Sequence, residues 1–313
     1  MKIGIVGIGN VGSATAMAIV LRARVSELIL VNRNRARARG VATDVRYGAP
    51  LAGPIEIADG DYADLAGASV VIVAAGVNEK TGGATDRNDP AGRLRLLEAN
   101  VKIYESIVPR IVAAAPQGVI LVATDPPDPL VEVARRLAGP ARVLGTGTYL
   151  DSLRLRVHVA RRLSVSAASV EAYVVGEHGT SSVFLWSSAK LGGTGIEQAV
   201  AERGIAFEDF RRDVEREVRY ANIAIIEGIG ASQYGIGIVA ARIAEAIAGD
   251  ERAVFPVGSH IDAYDVTLSL PSVVGRDGVV GVLMPDLSDA EKGALERSAE
   301  TIRRALAKHG ASS

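Results

Sequence analysis

Cysteine is absent from the 313 residues. That excludes disulfides, thiol nucleophiles and every cysteine-ligated metal site, and it fits a reducing compartment. An excess of charge is also missing: 35 basic residues stand against 36 acidic ones, so no nucleic-acid or other polyanionic partner is expected. No stretch reaches the roughly 18 continuous apolar residues that a membrane span requires. No secretory signal is read either, because the first apolar run is a few residues long and is broken by glycines. A cytoplasmic protein without a membrane partner is expected. Low-complexity segments and internal repeats are lacking. What remains, 48% apolar and 23% charged residues, is the composition of a folded globular chain rather than a disordered one.

The most informative stretch is the first. Lys2-Ile3-Gly4-Ile5-Val6 leads into Gly7-Ile8-Gly9-Asn10-Val11-Gly12, which opens an alanine-rich helical stretch, and Leu28-Ile29-Leu30-Val31 follows. Strand, glycine turn, helix and strand in this order, with G-x-G-x-x-G spacing, form a dinucleotide-binding fingerprint. The first glycine permits a tight turn, the second lets a pyrophosphate approach the backbone, and the third lets helix and strand pack closely. The helix N-terminus offers unpaired N–H groups and the positive end of its dipole. One position breaks the pattern. The acidic residue expected about 20 residues on, where it would grip the ribose hydroxyls, is Asn32, followed by Arg33, Arg35, Arg37 and Arg39.

Short apolar runs near 2–7, 27–31, 55–58, 69–74, 118–122 and 142–144 alternate with helical patterns near 11–22, 34–46, 92–114 and 128–138. This predicts an α/β, doubly wound parallel sheet of the Rossmann type over residues 1–144, with a ligand outside the carboxyl ends of the strands. Ala74-Ala75-Gly76 and Thr124-Asp125-Pro126-Pro127-Asp128 stand at such ends. Residues 145–313 read differently, as an α+β domain. A helix is expected at 149–163, a strand at 170–175, long helices near 207–227 and 235–248, strands around 252–257, 264–270 and 279–283, and a final helix at about 288–307. The polar segment between Val77 and Gly92 leaves a strand end beside the predicted cofactor and reads as a lid.

Four histidines are the candidates for acid–base work. His309 lies in a polar tail, His158 in an arginine-rich helix, and His260 at a strand end without an evident partner. His178 differs: it follows a strand and stands in Gly176-Glu177-His178-Gly179, where glycines allow a close approach by a ligand. Glu177 reads as structural. Asp151 and Arg154, three apart at a helix start, project from one face and alone read as a surface ion pair. Arg93 and Arg95 open a helix where the dipole disfavours them, which suggests a role other than helix stability.

Together these motifs resemble the lactate/malate dehydrogenase family over essentially the whole chain. The resemblance rests on the N-terminal glycine turn, on Ala74-Ala75-Gly76, on Gly145-Thr146-Gly147-Thr148-Tyr149-Leu150-Asp151-Ser152-Leu153-Arg154 and on Gly176-Glu177-His178-Gly179, in the family's order. It implies an NAD(P)-dependent oxidoreductase that moves a hydride between the cofactor and an L-2-hydroxy acid/2-oxo acid pair, and a homodimer or homotetramer. By resemblance, His178 is the acid/base residue, Asp151 fixes its tautomer, Arg154 holds the substrate carboxylate, and Arg93 polarises the carbonyl. Ser232 falls at the substrate pocket. Gly7, Gly9, Asn10, Val11, Gly12, Asn32, Arg33, Gly76 and Thr124 line the cofactor's side.

Three departures stand out. The segment from Gly76 to Arg93 is longer than in the lactate dehydrogenases it resembles, and the position that reads the substrate tail falls on Arg87, as in malate dehydrogenases. The family's Thr-Asn-Pro-Val-Asp is here Thr124-Asp125-Pro126-Pro127-Asp128. An ionised Asp125 cannot donate the expected hydrogen bond and repels a substrate carboxylate, unless it accepts from Arg93 or a substrate hydroxyl, or stays protonated. Finally, Asn32 removes the charge that repels a 2′-phosphate, and Arg33 and Arg35 are placed to bind one. NADP is therefore expected to be tolerated, and preferred if the arginines reach it. Two other readings compete. A non-catalytic dinucleotide sensor would explain Asp125 and the long segment, but need not keep His178, Asp151, Arg154 and Arg93 together. A family-4-type glycosidase would place a cysteine at its metal site, and there is none.

Overall fold

The apolar runs of the first half become β1 (Lys2–Val6), β2 (Glu27–Val31), β3 (Glu56–Gly60), β4 (Val70–Val73), β5 (Val119–Val122) and β6 (Val143–Gly145) in a computed structural model that describes residues 1–77, 92–139 and 142–308. Arg87, with the rest of 78–91, and His309 lie outside the described residues. The helices between the strands are α1 (Asn10–Arg22), α2 (Arg35–Gly48), α3 (Leu97–Ala114) and α4 (Pro127–Ala138). The six strands run parallel in the order β3-β2-β1-β4-β5-β6, so the strand order reverses between β1 and β4. A crevice opens at such a reversal because the helices following the two strands depart to opposite faces.

Continuous apolar runs arise because both faces of the sheet are covered. Val71 and Val73 of β4 join an apolar layer with Ile107, Val108 and Ile111 of α3. Val70 and Ile72, alternating with them, join the opposite layer with Ile19 of α1. Each buried side chain of this size contributes about 1.5–3 kcal/mol by leaving water.

The second half comprises α5 (Tyr149–Leu163), β7 (Val170–Glu171), β8 (Val174–Val175), β9 (Val183–Phe184), β10 (Lys190–Leu191), β11 (Thr194–Gly195), α6 (Ile196–Ala201), α7 (Phe207–Arg219), α8 (Ala221–Ile229), α9 (Tyr234–Ala248), β12 (Ala253–Ile261), β13 (Val266–Gly275), β14 (Gly278–Val282) and α10 (Asp289–Lys308). It adds to the first half rather than standing apart. β12, β13 and β14 extend the parallel sheet with antiparallel strands, joined where Gly258 faces Gly145 of β6. Helix α9 supplies Val239, Ile243 and Ile247 to the same layer as Ile3, Ile5 and Ile19.

Two expected elements are divided. The strand expected at 170–175 is two short ones: β7 pairs with β10, and β8 with β9, in separate sheets. The helix expected at 207–227 breaks at Tyr220, whose φ of −103° and ψ of 8° end α7. No glycine or proline marks that break. Just before it, Arg219 donates to the carbonyls of Thr180 (2.9 Å) and Ser182 (3.0 Å), which ties the end of α7 to the loop after His178.

Candidate active site

The glycine turn has three different environments. Gly7 has φ +99°, and a Cβ there would lie 2.3 Å from the Ala75 nitrogen. A Cβ on Gly12 would lie 2.0 Å from the Gly7 carbonyl oxygen, so this residue lets α1 close onto the turn. Gly9 is open, with nothing within 4 Å of an added Cβ. It is the N-cap of α1, its side carries no cap, and no acidic residue stands in the first turn. An uncapped helix N-terminus beside open space fits the pyrophosphate of a dinucleotide.

That turn forms one end of a cleft of about 740 Å³. Gly7, Gly9, Asn10, Val11, Asn32, Arg33, Gly76 and Thr124 line it, as do Arg93, Asp125, Arg154, His178 and Ser232. The carboxyl ends of β1, β4, β5 and β6 therefore bring together residues more than 200 positions apart. Gly12 and Asp151 act from behind the wall rather than on it. Arg37 also reaches the cleft, and its Nε donates to the Ile8 carbonyl at 2.5 Å. Arg35 pairs with Asp59 at 3.4 Å and does not line the cleft, so of the two arginines expected to meet a 2′-phosphate only Arg33 lines it. The amide of Asn32 is itself engaged: its Oδ1 accepts from the Ile8 N–H and its Nδ2 donates to the Asn34 carbonyl, both at 3.0 Å.

His178 is buried and its Nδ1 lies 2.5 Å from Asp151 Oδ2. The other Asp151 oxygen accepts from Arg154 at 3.0 Å. Nδ1 thus has a partner, and Nε2 is the nitrogen left to face the cleft. Asp125 fills the space between the cations: one carboxylate oxygen lies 3.2 Å from Arg93 Nε and the other 3.7 Å from His178 Nε2. Acceptance from Arg93, one of the ways in which an aspartate was expected to survive here, is present. Burial disfavours the imidazolium of His178, but the adjoining Asp151 carboxylate outweighs it, and the net shift is upward from the ordinary 6.5. Burial works against the Asp151 carboxylate too, yet His178, Arg154 and Arg93 together hold it well below the usual range.

Several residues that shape the site were not singled out in the sequence. Asn100, buried in α3, accepts from the Val77 N–H at 2.8 Å and donates to the Asp125 carbonyl at 2.6 Å, joining two strand ends. A poor helix former inside an otherwise amphipathic helix was the available signal. Asp128 accepts the backbone N–H of His178 at 2.6 Å and the hydroxyl of Ser269 at 3.1 Å. Its place in a helical first turn, where an acid suits the dipole, concealed that role. Asn222 and Thr146 also line the cleft. His260 is the last residue but one of β12, at the strand end as expected, but it has a partner: the buried Glu132 at 3.0 Å. His158 pairs with Glu217 at 2.6 Å. Glu177 is buried and accepts from the backbone N–H and the hydroxyl of Ser181, in keeping with a structural role.

Comparison with known proteins agrees with this arrangement throughout the chain. Residues 1–145 match the profile described as lactate/malate dehydrogenase, NAD binding domain, and residues 148–312 match lactate/malate dehydrogenase, alpha/beta C-terminal domain. The L-lactate dehydrogenase of Thermus aquaticus is 45% identical over 99% of this chain and 100% of its own length. That of Chloroherpeton thalassium is 42% identical over 98% and 99%. The crystal structure of a lactate dehydrogenase enzyme from a Medee basin deep-sea metagenome library superposes with a TM-score of 0.89 at 33% identity, covering 99% of this chain and 98% of that one. With a glycine turn, a strand reversal and a His–Asp–Arg group at one cleft, and with both halves matched, the chain belongs to the lactate/malate dehydrogenase family.

Proposed function

We propose that this protein is a nicotinamide-dependent L-2-hydroxyacid dehydrogenase of the lactate/pyruvate type. The observation that carries the reading is His178, held by Asp151 and facing a cleft shared with Arg154, Arg93 and the glycine turn. The bound cofactor supplies the hydride to, or takes it from, the carbon bearing the oxygen. In reduction, His178 Nε2 gives its proton to the carbonyl oxygen as the hydride reaches the carbonyl carbon, leaving a neutral imidazole. In oxidation the same nitrogen takes the hydroxyl proton. Asp151 holds the ring and stabilises its charged form. The planar guanidinium of Arg154 suits two-point binding of the substrate carboxylate, which orients the carbonyl face. Arg93 stabilises charge growing on the carbonyl oxygen. Ser232 borders the substrate side chain.

The backbone of Gly7, Gly9, Asn10 and Val11 would hold the cofactor's pyrophosphate, with Gly76 and Thr124 flanking the rest of the molecule. Asn32 and Arg33 would meet the adenosine ribose. NAD is the cofactor in the matched family description, and tolerance of NADP is our extension, supported by the neutral Asn32 and by Arg33 at the cleft. The names of the relatives favour lactate over malate, and Arg87 is the residue we propose to read the substrate tail. We also propose two domains, 1–144 for the dinucleotide and 145–313 for the substrate, in a cytoplasmic homodimer or homotetramer. Exposed apolar residues on α1 (Met17, Leu21) and α9 (Tyr234, Ile238) are suited to such contacts.

The test is the absorbance of NADH and NADPH with pyruvate, oxaloacetate and bulkier 2-oxo acids. The expected result is turnover with pyruvate that falls about 10²–10⁴-fold in His178→Ala. Activity that survives this substitution defeats the mechanism. Clear dinucleotide binding without turnover on any acid would instead favour a sensor, and NADH favoured more than tenfold over NADPH would end the NADP extension.

A further inference from the structure

The position of Asp125 has a consequence for how the site handles charge. Around the His178 imidazole stand Asp151 and Arg154 of α5, Arg93 of the 3₁₀ turn Gly92–Leu96, Asp125 between β5 and α4, Asp128 at the start of α4, and Glu177 on the histidine's own loop. Asp128 faces the histidine's backbone and Glu177 is turned to Ser181, so neither points at the ring's reacting nitrogen. The groups that face Nε2 and the space before it are Arg93, Arg154 and Asp125, while Asp151 meets Nδ1 from behind. A carboxylate substrate added to a neutral imidazole would put three carboxylates against two guanidiniums. A charged imidazolium restores the balance. Charges this close interact strongly where water is largely excluded, so the imbalance is not trivial.

We infer that Asp125 keeps His178 loaded with its proton while weakening the cleft's grip on the substrate anion. This rests on the hydroxyacid-dehydrogenase reading above. The geometry shows both effects. One Asp125 oxygen faces the nitrogen that carries the transferable proton, at 3.7 Å, and favours its charged form. The other occupies Arg93 at 3.2 Å, the cation that the incoming carbonyl must share. An amide at 125 would donate to the carbonyl oxygen and repel nothing, but it would leave the imidazolium with one carboxylate fewer. The chain therefore exchanges affinity for a wider pH range in which a 2-oxo acid meets a proton donor. Among the causes acting on His178, the burial that opposes its charge and the Asp151 that favours it are the larger, and Asp125 adds to Asp151.

The test compares the full-length protein with Asp125→Asn and Asp125→Ser. The probe is oxamate, an unreactive isostere of a small 2-oxo acid, titrated into the NADH complex and followed by nicotinamide fluorescence from about pH 5.5 to about pH 9. NADH affinity and melting temperature are measured alongside, to show that both variants remain folded and bind the cofactor. Two changes are expected in both variants. Below the limb where affinity falls with pH, oxamate binds several-fold more tightly than in the wild type. The limb itself moves to lower pH by about one unit, so the advantage vanishes or reverses in alkali. A limb that stays in place or moves upward overturns the role given to Asp125. Failure of the wild type to bind oxamate at any pH overturns the dehydrogenase reading and this inference with it.

Discussion

Asp128 sits in the first turn of α4 with 1% of its surface exposed, and it holds the loop that carries His178 through that residue's backbone N–H. Burial raises its pKa from 3.8 to about 7, against the pull of the His178 N–H and imidazole. A carboxyl whose folded pKa lies above its unfolded value favours folding fully below the unfolded one. That contribution is lost as pH rises through the folded value. The wild type should therefore lose melting temperature between about pH 5 and about pH 8 by more than Asp128→Asn does. The asparagine keeps an acceptor for the His178 N–H but has no charge to bury. Parallel melting curves of the two proteins would count against a buried titration at this residue. A contrasting set of neighbours governs Asp151, which is also buried. There His178, Arg154 and Arg93 overcome burial and keep the carboxylate ionised. The family resemblance singled out Asp151, Arg154 and His178 because each lies in a stretch of distinctive residues. It could not show that Asp125 meets Arg93, or that Asp128 meets His178, because those contacts join segments 32 and 50 positions apart along the chain.

At the scale of the element, the contact of α1 with the glycine turn decides whether there is a cofactor site. Gly12 lies against the Gly7 carbonyl, so Gly12→Val must push the helix off the turn. Overpacking of this kind costs about 1–3 kcal/mol, and the N–H groups that fit a pyrophosphate move with the helix. Expected is a fall of about 10-fold or more in NADH affinity by fluorescence titration, together with a lower melting temperature. An unchanged affinity would show that the turn does not contact the dinucleotide. Helix α9 presses on the far side of α1, where a Cβ on Gly237 would lie 2.9 Å from the Ala14 backbone. The mechanical support of the cofactor helix thus comes from the other half of the chain. Strands β1 to β6 and their helices were legible because period and length agree with burial on both faces of a sheet. The break at Tyr220 was not, because the groups that mark it are the carbonyls of residues 180 and 182 held by Arg219.

Over the whole molecule, the sheet of nine strands crosses the boundary proposed at residue 145 without interruption. β6 is an edge only if the second half is removed, and Ile3, Ile5 and Ile19 share their apolar layer with α9. Residues 1–145 expressed alone should therefore expose both an unpaired strand edge and an apolar face. Aggregation or a poorly dispersed amide NMR spectrum is expected. A well-dispersed spectrum with NADH affinity near that of the full chain would establish the first domain as independent. Among the described residues no single helix is long and apolar enough to cross a membrane. The longest apolar helices serve the core instead: α9 buries Val239, Ile243 and Ile247.

Residue order alone sets the local grammar: which runs are strands, where the dinucleotide turn lies, and which histidine has glycines around it. Those features depend on neighbours a few residues away, whose periodicity and φ requirements are written in order along the chain. The company each residue keeps is set by how the chain folds back on itself. That folding paired Asp125 with Arg93, turned Arg35 to Asp59, gave His260 a partner in Glu132, and made one sheet of two halves. Electrostatic and packing energies depend on distance in space, and chain order does not encode that distance once the backbone has folded back on itself.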